Sequence, residues 1–193
     1  MSINTTKKQI KDLTYLAIFT AIVFVLQLLS FLMRGPMFSL TFVLVPIVIA
    51  VAVCGLKAGP WLGFVFGVAV LVTGDANAFL AFKPGASIFL VLLKGVMAGL
   101  CAALVYRALE KKHKYLAVAL AAVTAPVVNT GIFFIGAIVF FRDLIISWAP
   151  ESQSVALFTI TGLIGINFII EVVVNLVLVP TVYRIVEIYQ KRK

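Results

Sequence analysis

Six stretches of the chain are almost wholly apolar, at residues 13–33, 38–56, 58–74, 86–107, 115–141 and 157–185. Each approaches or exceeds the ~17–25 residues that a helix needs to cross hydrocarbon, so the pattern predicts six membrane-spanning helices. The second and third are the least well marked. Pro46 interrupts the second, and only "GLKAGP", Gly55 to Pro60, separates the two. Read as one they would be too long for a single crossing and would carry a Gly/Pro break in the middle. A tight hairpin of two spans is the better reading. Within the first span, "YLAIFTAIVFVLQLL" places Ala17 and Ala21 four residues apart among large side chains. On a helix that spacing stacks two methyls on one face, one turn apart, and leaves a flat, small-sided groove.

Composition agrees with the pattern. Of 193 residues 63% are hydrophobic and 12% charged, with a mean hydropathy of +1.18. A soluble domain of this length cannot hide so much apolar surface, so lipid is the expected solvent for a single membrane domain spanning 1–193. The first apolar run is too long for the core of a signal peptide and no small-residue cleavage site follows it, so no cleavable leader is expected. Cys54 and Cys101 have no metal-ligand spacing and are expected to be small core residues.

The net charge of +9 raises the possibility of a nucleic-acid partner, but the basic residues cluster beside apolar runs. With the N-terminus inside, twelve of them face the cytoplasm: Lys7, Lys8, Lys11 and Lys57, then 107–114 and Arg184 with 191–193. Three, Arg34, Lys83 and Arg142, face outside. That asymmetry predicts two cytoplasmic termini and no nucleic-acid partner. The outer segments are then "LMRGPMFS", "GDANAFLAFKPGA" and "RDLIISWAPESQS". His113 lies in the solvated inner run "ALEKKHKY", where no ligand or catalytic role is expected.

Small residues recur at packing distance. Gly59, Gly63 and Gly67 repeat every four residues on the third span, and Gly95 and Gly99 do so on the fourth. Such stripes let helices approach closely, and ordinary packing accounts for them. No phosphate-binding loop and no H-E-x-x-H occurs, and one histidine leaves no histidine-type metal centre and no serine–histidine pair within the membrane. An enzyme is not expected.

The informative residues are the polar ones at membrane depth. Counted from the outer ends of their spans, Lys94, Asn129, Asn167 and Glu171 lie between roughly 12 and 21 Å down at 1.5 Å per residue. They are expected to converge near the membrane middle. Asn167, Glu171 and Asn175 repeat at i, i+4 and i+8, a polar stripe on one face. A charge at this depth is costly unless paired or functional. Lys94 and Glu171 are therefore either a structural ion pair or part of a ligand site, and Asn175, nearer the inside, is expected to serve packing. Arg34 in "MRGPM" and Lys83 in "FKPG", each beside a Gly/Pro turn, are candidates for an outer lid, with Asp75 and Asn77 after Gly74. Trp148 either covers a ligand or anchors at the interface, and Trp61 is expected to be an interfacial anchor.

Length, topology, A-x-x-x-A, "GLKAGPWLGFVFGVAVLV" and "KGVMAGLCAALVY" together resemble the substrate-binding S components of energy-coupling factor (ECF) vitamin transporters, over nearly the whole chain. The resemblance implies an all-α membrane protein, a bundle of six transmembrane helices with N-in/C-in topology, in the cytoplasmic membrane of a prokaryote. It implies a small-molecule vitamin as substrate and no cofactor in this chain. A transmembrane coupling subunit would be the partner, energised by two cytoplasmic ATPases that use the ATP. Ala17 and Ala21 would form the docking face for that subunit. The substrate-binding positions carried over are Arg34, Lys94, Asn129, Asn167 and Glu171, with Lys83. The chain looks most like the pantothenate/riboflavin-like branch, and its two tryptophans speak against a thiamine-type site of stacked indoles. Pantothenate is the expected substrate, because Arg34, Lys83 or Lys94 could receive its carboxylate. A flavin becomes easier if Glu171 neutralises Lys94. The rival readings are a stand-alone proton-coupled carrier using Glu171 and a non-transporting membrane scaffold.

Overall fold

The computed structural model describes residues 3–33, 43–150 and 152–191, and all regular structure among them is helical. The helices are α1 (Ile3–Leu32), α2 (Leu44–Cys54), α3 (Ala58–Thr73), α4 (Asn77–Phe82), α5 (Pro84–Leu109), α6 (Lys114–Phe140), α7 (Arg142–Trp148), α8 (Val155–Phe158) and α9 (Gly165–Lys191). A π-helical segment, Thr159–Ile164, joins α8 to α9.

Four helices, α1, α5, α6 and α9, are long and apolar enough to cross a membrane. α2 and α3 are apolar but shorter, at 11 and 16 residues. At 1.5 Å per residue α2 reaches only about 16 Å, against a hydrocarbon core of ~30 Å. The predicted second span, 38–56, is thus trimmed at both ends of its described part. Pro46 sits in the first turn of α2, where a missing N–H costs nothing, so it starts the helix rather than interrupting it. Gly55, at φ 90°, ends it. α1 begins well before residue 13, α5 is longer at both ends, and α9 continues to Lys191 but starts only at Gly165, because α8 and the π-helical segment occupy the start of the predicted sixth span.

The most extensive packing is between α3 and α5, followed by α5 with α6 and α6 with α9. The two glycine stripes are the reason for the first. They run antiparallel, with Gly59 on Gly99, Gly63 on Gly95 and Gly67 on Leu92, and a Cβ built on Gly63 would meet the Gly95 carbonyl oxygen. A side chain at either crossing would hold the backbones apart.

α1 is peripheral. It packs on α2 and α3 through Val23, Gln27 and Ser30, while Leu13, Ala17, Ala21, Val25 and Leu28 are exposed. Trp61 is half exposed and its Nε1–H donates to Thr20 Oγ1 at 3.1 Å, so it ties α3 to α1 as well as facing outward.

All five tyrosines of the chain gather at one end. Tyr15 of α1 meets Tyr189 of α9 edge-on at 5.6 Å, Tyr115 meets Tyr183 at 5.4 Å, and Tyr106 takes a hydrogen bond from Gln190. The start of α1, the end of α5, the start of α6 and the end of α9 therefore share that end.

Candidate functional site

At the opposite end a cavity of about 190 Å³ opens between α3, α4, α5, α6 and the α8–α9 segment. Its chemistry is mixed. Phe66, Phe79, Phe133, Phe141 and Phe168 supply ring faces and edges, and Asp75, Lys94, Asn129, Asn167 and Glu171 supply polar groups. Such a ratio of apolar wall to a few convergent polar atoms is what a small-molecule site needs.

Each polar group is placed by its helix. Lys94 sits one residue before the Gly95 crossing, so α3 fixes the height at which it enters the cavity. Its ammonium lies 5.1 Å from the Phe133 ring centroid, in the field of the Asp75 and Glu171 carboxylates. Among the described residues it has no hydrogen-bond acceptor. Asn129, buried on α6, has an Oδ1 with no partner among the described residues. Glu171, buried on α9, presents an Oε1 in the same condition. The Lys94–Glu171 ion pair anticipated as one alternative is not formed, since the ion pairs among the described residues are those of Glu187 with Arg184 and Lys191.

Asn167 stands at the start of α9, just after the π-helical segment, and its Nδ2 donates to the Leu163 carbonyl at 3.3 Å. Leu163 and Ile164 of that segment line the cavity themselves. A π turn widens the helix by a residue and is common at functional sites. Asn175 does not line the cavity. Its Nδ2 donates to the Glu171 carbonyl at 2.7 Å, one turn back on the same helix.

Of the six substrate-binding candidates, four meet in the cavity: Lys94, Asn129, Asn167 and Glu171. Arg34 lies outside the described residues. Lys83 does not join them: its ammonium donates to the Phe140 carbonyl at 3.1 Å and lies 5.3 Å from the Phe82 ring, so it ties the end of α4 to the end of α6.

The aromatic half of the site was not foreseen. Phe79 of α4 is its hub, with edge-to-face contacts to Phe133 at 5.5 Å, Phe141 at 5.1 Å and Trp148 at 5.7 Å. Trp148 thus packs behind a wall residue and does not itself line the cavity. Asp75, named with the outer-lid candidates, is a lining residue because of how α3 ends. Gly74 adopts φ 83°, which favours glycine, and turns the chain so that the Asp75 N–H donates back to the Val70 carbonyl at 3.2 Å. No group of three or more potential metal-ligating side chains of the His, Cys, Asp or Glu type is found among the described residues.

Comparison with known proteins gives two findings. The family model described as "ECF transporter, substrate-specific component" matches residues 11–183. A solved structure of ThiT from Listeria monocytogenes superposes with a TM-score of 0.69, over 93% of this chain and 98% of that one, at 19% sequence identity. At that identity the likeness is one of fold. No curated protein matches.

Proposed function

The chain belongs to the family of ECF transporter substrate-specific components, and from that premise we propose that its cavity captures pantothenate for an ATP-driven importer. Three residues that line one cavity carry the reading: Lys94, whose ammonium has no acceptor among the described residues, and Asn129 and Glu171, whose buried Oδ1 and Oε1 have no donors among them. Leaving such atoms buried and unmade is expensive, so they call for a ligand that supplies the missing halves. The complement is one anionic acceptor and at least two donors. Pantothenate has a carboxylate for Lys94 and hydroxyl and amide donors for the two oxygens. Its gem-dimethyl group suits the phenylalanine wall.

A second reading has its own support. Five phenylalanines and two carboxylates, Asp75 and Glu171, also suit a cationic ring, and thiamine is a vitamin of that kind. Titration of the purified protein with pantothenate, riboflavin and thiamine decides among them. Saturable binding of pantothenate that thiamine does not displace is the expected result. Tight binding of thiamine alone transfers the assignment.

In this reading the short α2 and α3 count as two of six spans and both termini are cytoplasmic, in accord with the basic clusters at 7–11, 107–114 and 184–193. The chain performs no chemistry of its own; ATP is used by two ATPases that drive a membrane-embedded coupling subunit. Ala17 and Ala21 receive that subunit. They are exposed and take no part in the packing of α1 on α2 and α3, which leaves their face available. A carrier driven by Glu171 protonation would transport in liposomes without ATPases, whereas this reading requires them.

A further inference from the structure

Gln27 is 2% exposed, on the one face of α1 that packs inward. A primary amide buried in a membrane helix is costly unless its hydrogen bonds are made, and leucine would fill the same space without that cost. Its Nε2–H donates to Asp75 Oδ2 at 3.4 Å, across 48 residues of sequence. Asp75 lines the cavity and is one of the two carboxylates whose field acts on Lys94. The backbone at Asp75 is set by the Gly74 turn, and the Gln27 amide is one of the groups that engage its carboxylate.

We infer that Gln27 is a positioning residue for the binding cavity: its amide helps to hold the Asp75 carboxylate at the cavity wall. Gln27 touches no cavity surface itself. It acts through Asp75, and it makes α1, the helix that carries Ala17 and Ala21, part of the support of the site. Only the ligand half of the argument rests on the function proposed above; the geometric half concerns the empty protein.

Gln27→Leu, Asp75→Asn and the double variant test it. The leucine keeps the volume and removes the bond. If Gln27 only fills space, leucine suits its apolar surroundings, and neither local dynamics nor binding should change. If it positions Asp75, hydrogen exchange at residues 74–82 of the ligand-free Gln27→Leu protein should accelerate about fivefold while α5 and α6 stay protected. Binding of whichever of pantothenate, riboflavin or thiamine the native protein takes up should weaken about tenfold, and the loss in the double variant should fall short of the sum of the two single losses. Unchanged exchange at 74–82 in Gln27→Leu overturns the inference whether or not any vitamin binds. Additive losses overturn it as well. A native protein that binds none of the three strikes at the proposed substrates, and the exchange measurement then decides on Gln27 by itself. A Gln27→Leu protein that fails to fold is answered by Gln27→Met, which also keeps the volume and cannot donate.

Discussion

Gly63 of α3 and Gly95 of α5 meet backbone to backbone: a Cβ added to either would fall against the carbonyl oxygen of the other. This crossing sets the height of Lys94, the next residue along α5, so the packing stripe and the binding cavity are one construction.

Gly63→Ala should therefore cost far more than a methyl usually does. Neither backbone can yield without parting α3 from α5, and overpacking of this kind costs about 1–3 kcal/mol or more. Gly131→Ala is the counterpart. Nothing lies within 4 Å of a Cβ there and the residue is inside α6, so alanine should be neutral or stabilise by up to ~1 kcal/mol. Thermal unfolding in detergent checks both. Equal melting temperatures for the two variants would remove the tight crossing.

Lys94→Met and Glu171→Leu should each weaken vitamin binding, by about a hundredfold and about tenfold respectively, since each withdraws a group the ligand must satisfy and Lys94 is the one that meets the carboxylate of the proposed ligand. The double variant should bind no better than the worse single one. A directly bonded buried pair would behave otherwise, because removing both halves relieves the stranded charge that a single change leaves. The two groups are not in contact as an ion pair among the described residues, so no such rescue is expected. Titration of the three variants with the vitamin bound by the native protein is the measurement, and restored binding in the double would make the pair structural.

The difference between what the sequence disclosed and what it concealed is one of contrast. Lys94, Asn129, Asn167 and Glu171 stand out because a polar residue amid hydrocarbon is costly, and helical rise alone gives their common depth. Phe79 and Phe133 have no such contrast in a chain with sixteen phenylalanines; only the position of α4 makes them a wall. The glycine stripes declared close packing but not their partners, and the antiparallel match of 59 with 99 and 63 with 95 needed coordinates. Lys83 was drawn toward the site because a basic residue beside a turn suits a lid. Its direction depends on how α4 ends, and that sends the ammonium to the Phe140 carbonyl. The π-helical segment 159–164 is silent in sequence, since its apolar residues fit an α-helix equally well.

Membrane orientation is open to direct labelling. Ala78 on α4 and Ser152 after α7 are exposed near the cavity end of the protein, and Lys112 is exposed at the tyrosine end. Cysteines at Ala78 and Ser152 should react with an impermeant thiol reagent added to intact cells, and one at Lys112 should react only after lysis. Ser39, outside the described residues, should follow Ala78. Labelling of Lys112→Cys in intact cells would reverse the assignment of inside and outside.

The last prediction concerns Ala17 and Ala21. Both are exposed on α1, flanked by the larger Leu13, Ile18 and Val25, so they form a shallow step on an otherwise bulky surface. In lipid, helix association is driven by packing, and a small-residue step permits close approach by another helix. That helix is not one of the described helices, because α1 turns Val23 and Gln27 toward α2 and α3 and leaves the alanines outward. Ala17→Trp/Ala21→Trp should thus leave the isolated protein folded, with vitamin affinity within about twofold of native, as expected for changes at an unpacked surface. Binding of the coupling subunit should fall sharply, since two indoles cannot enter a space shaped for methyls, and ATP-dependent uptake should fall with it. Ligand titration of the purified variant, pull-down of the coupling subunit and uptake in reconstituted vesicles separate the cases. A variant that folds but no longer binds vitamin would tie the alanines to the cavity and not to a partner, and undiminished uptake would leave them facing lipid alone.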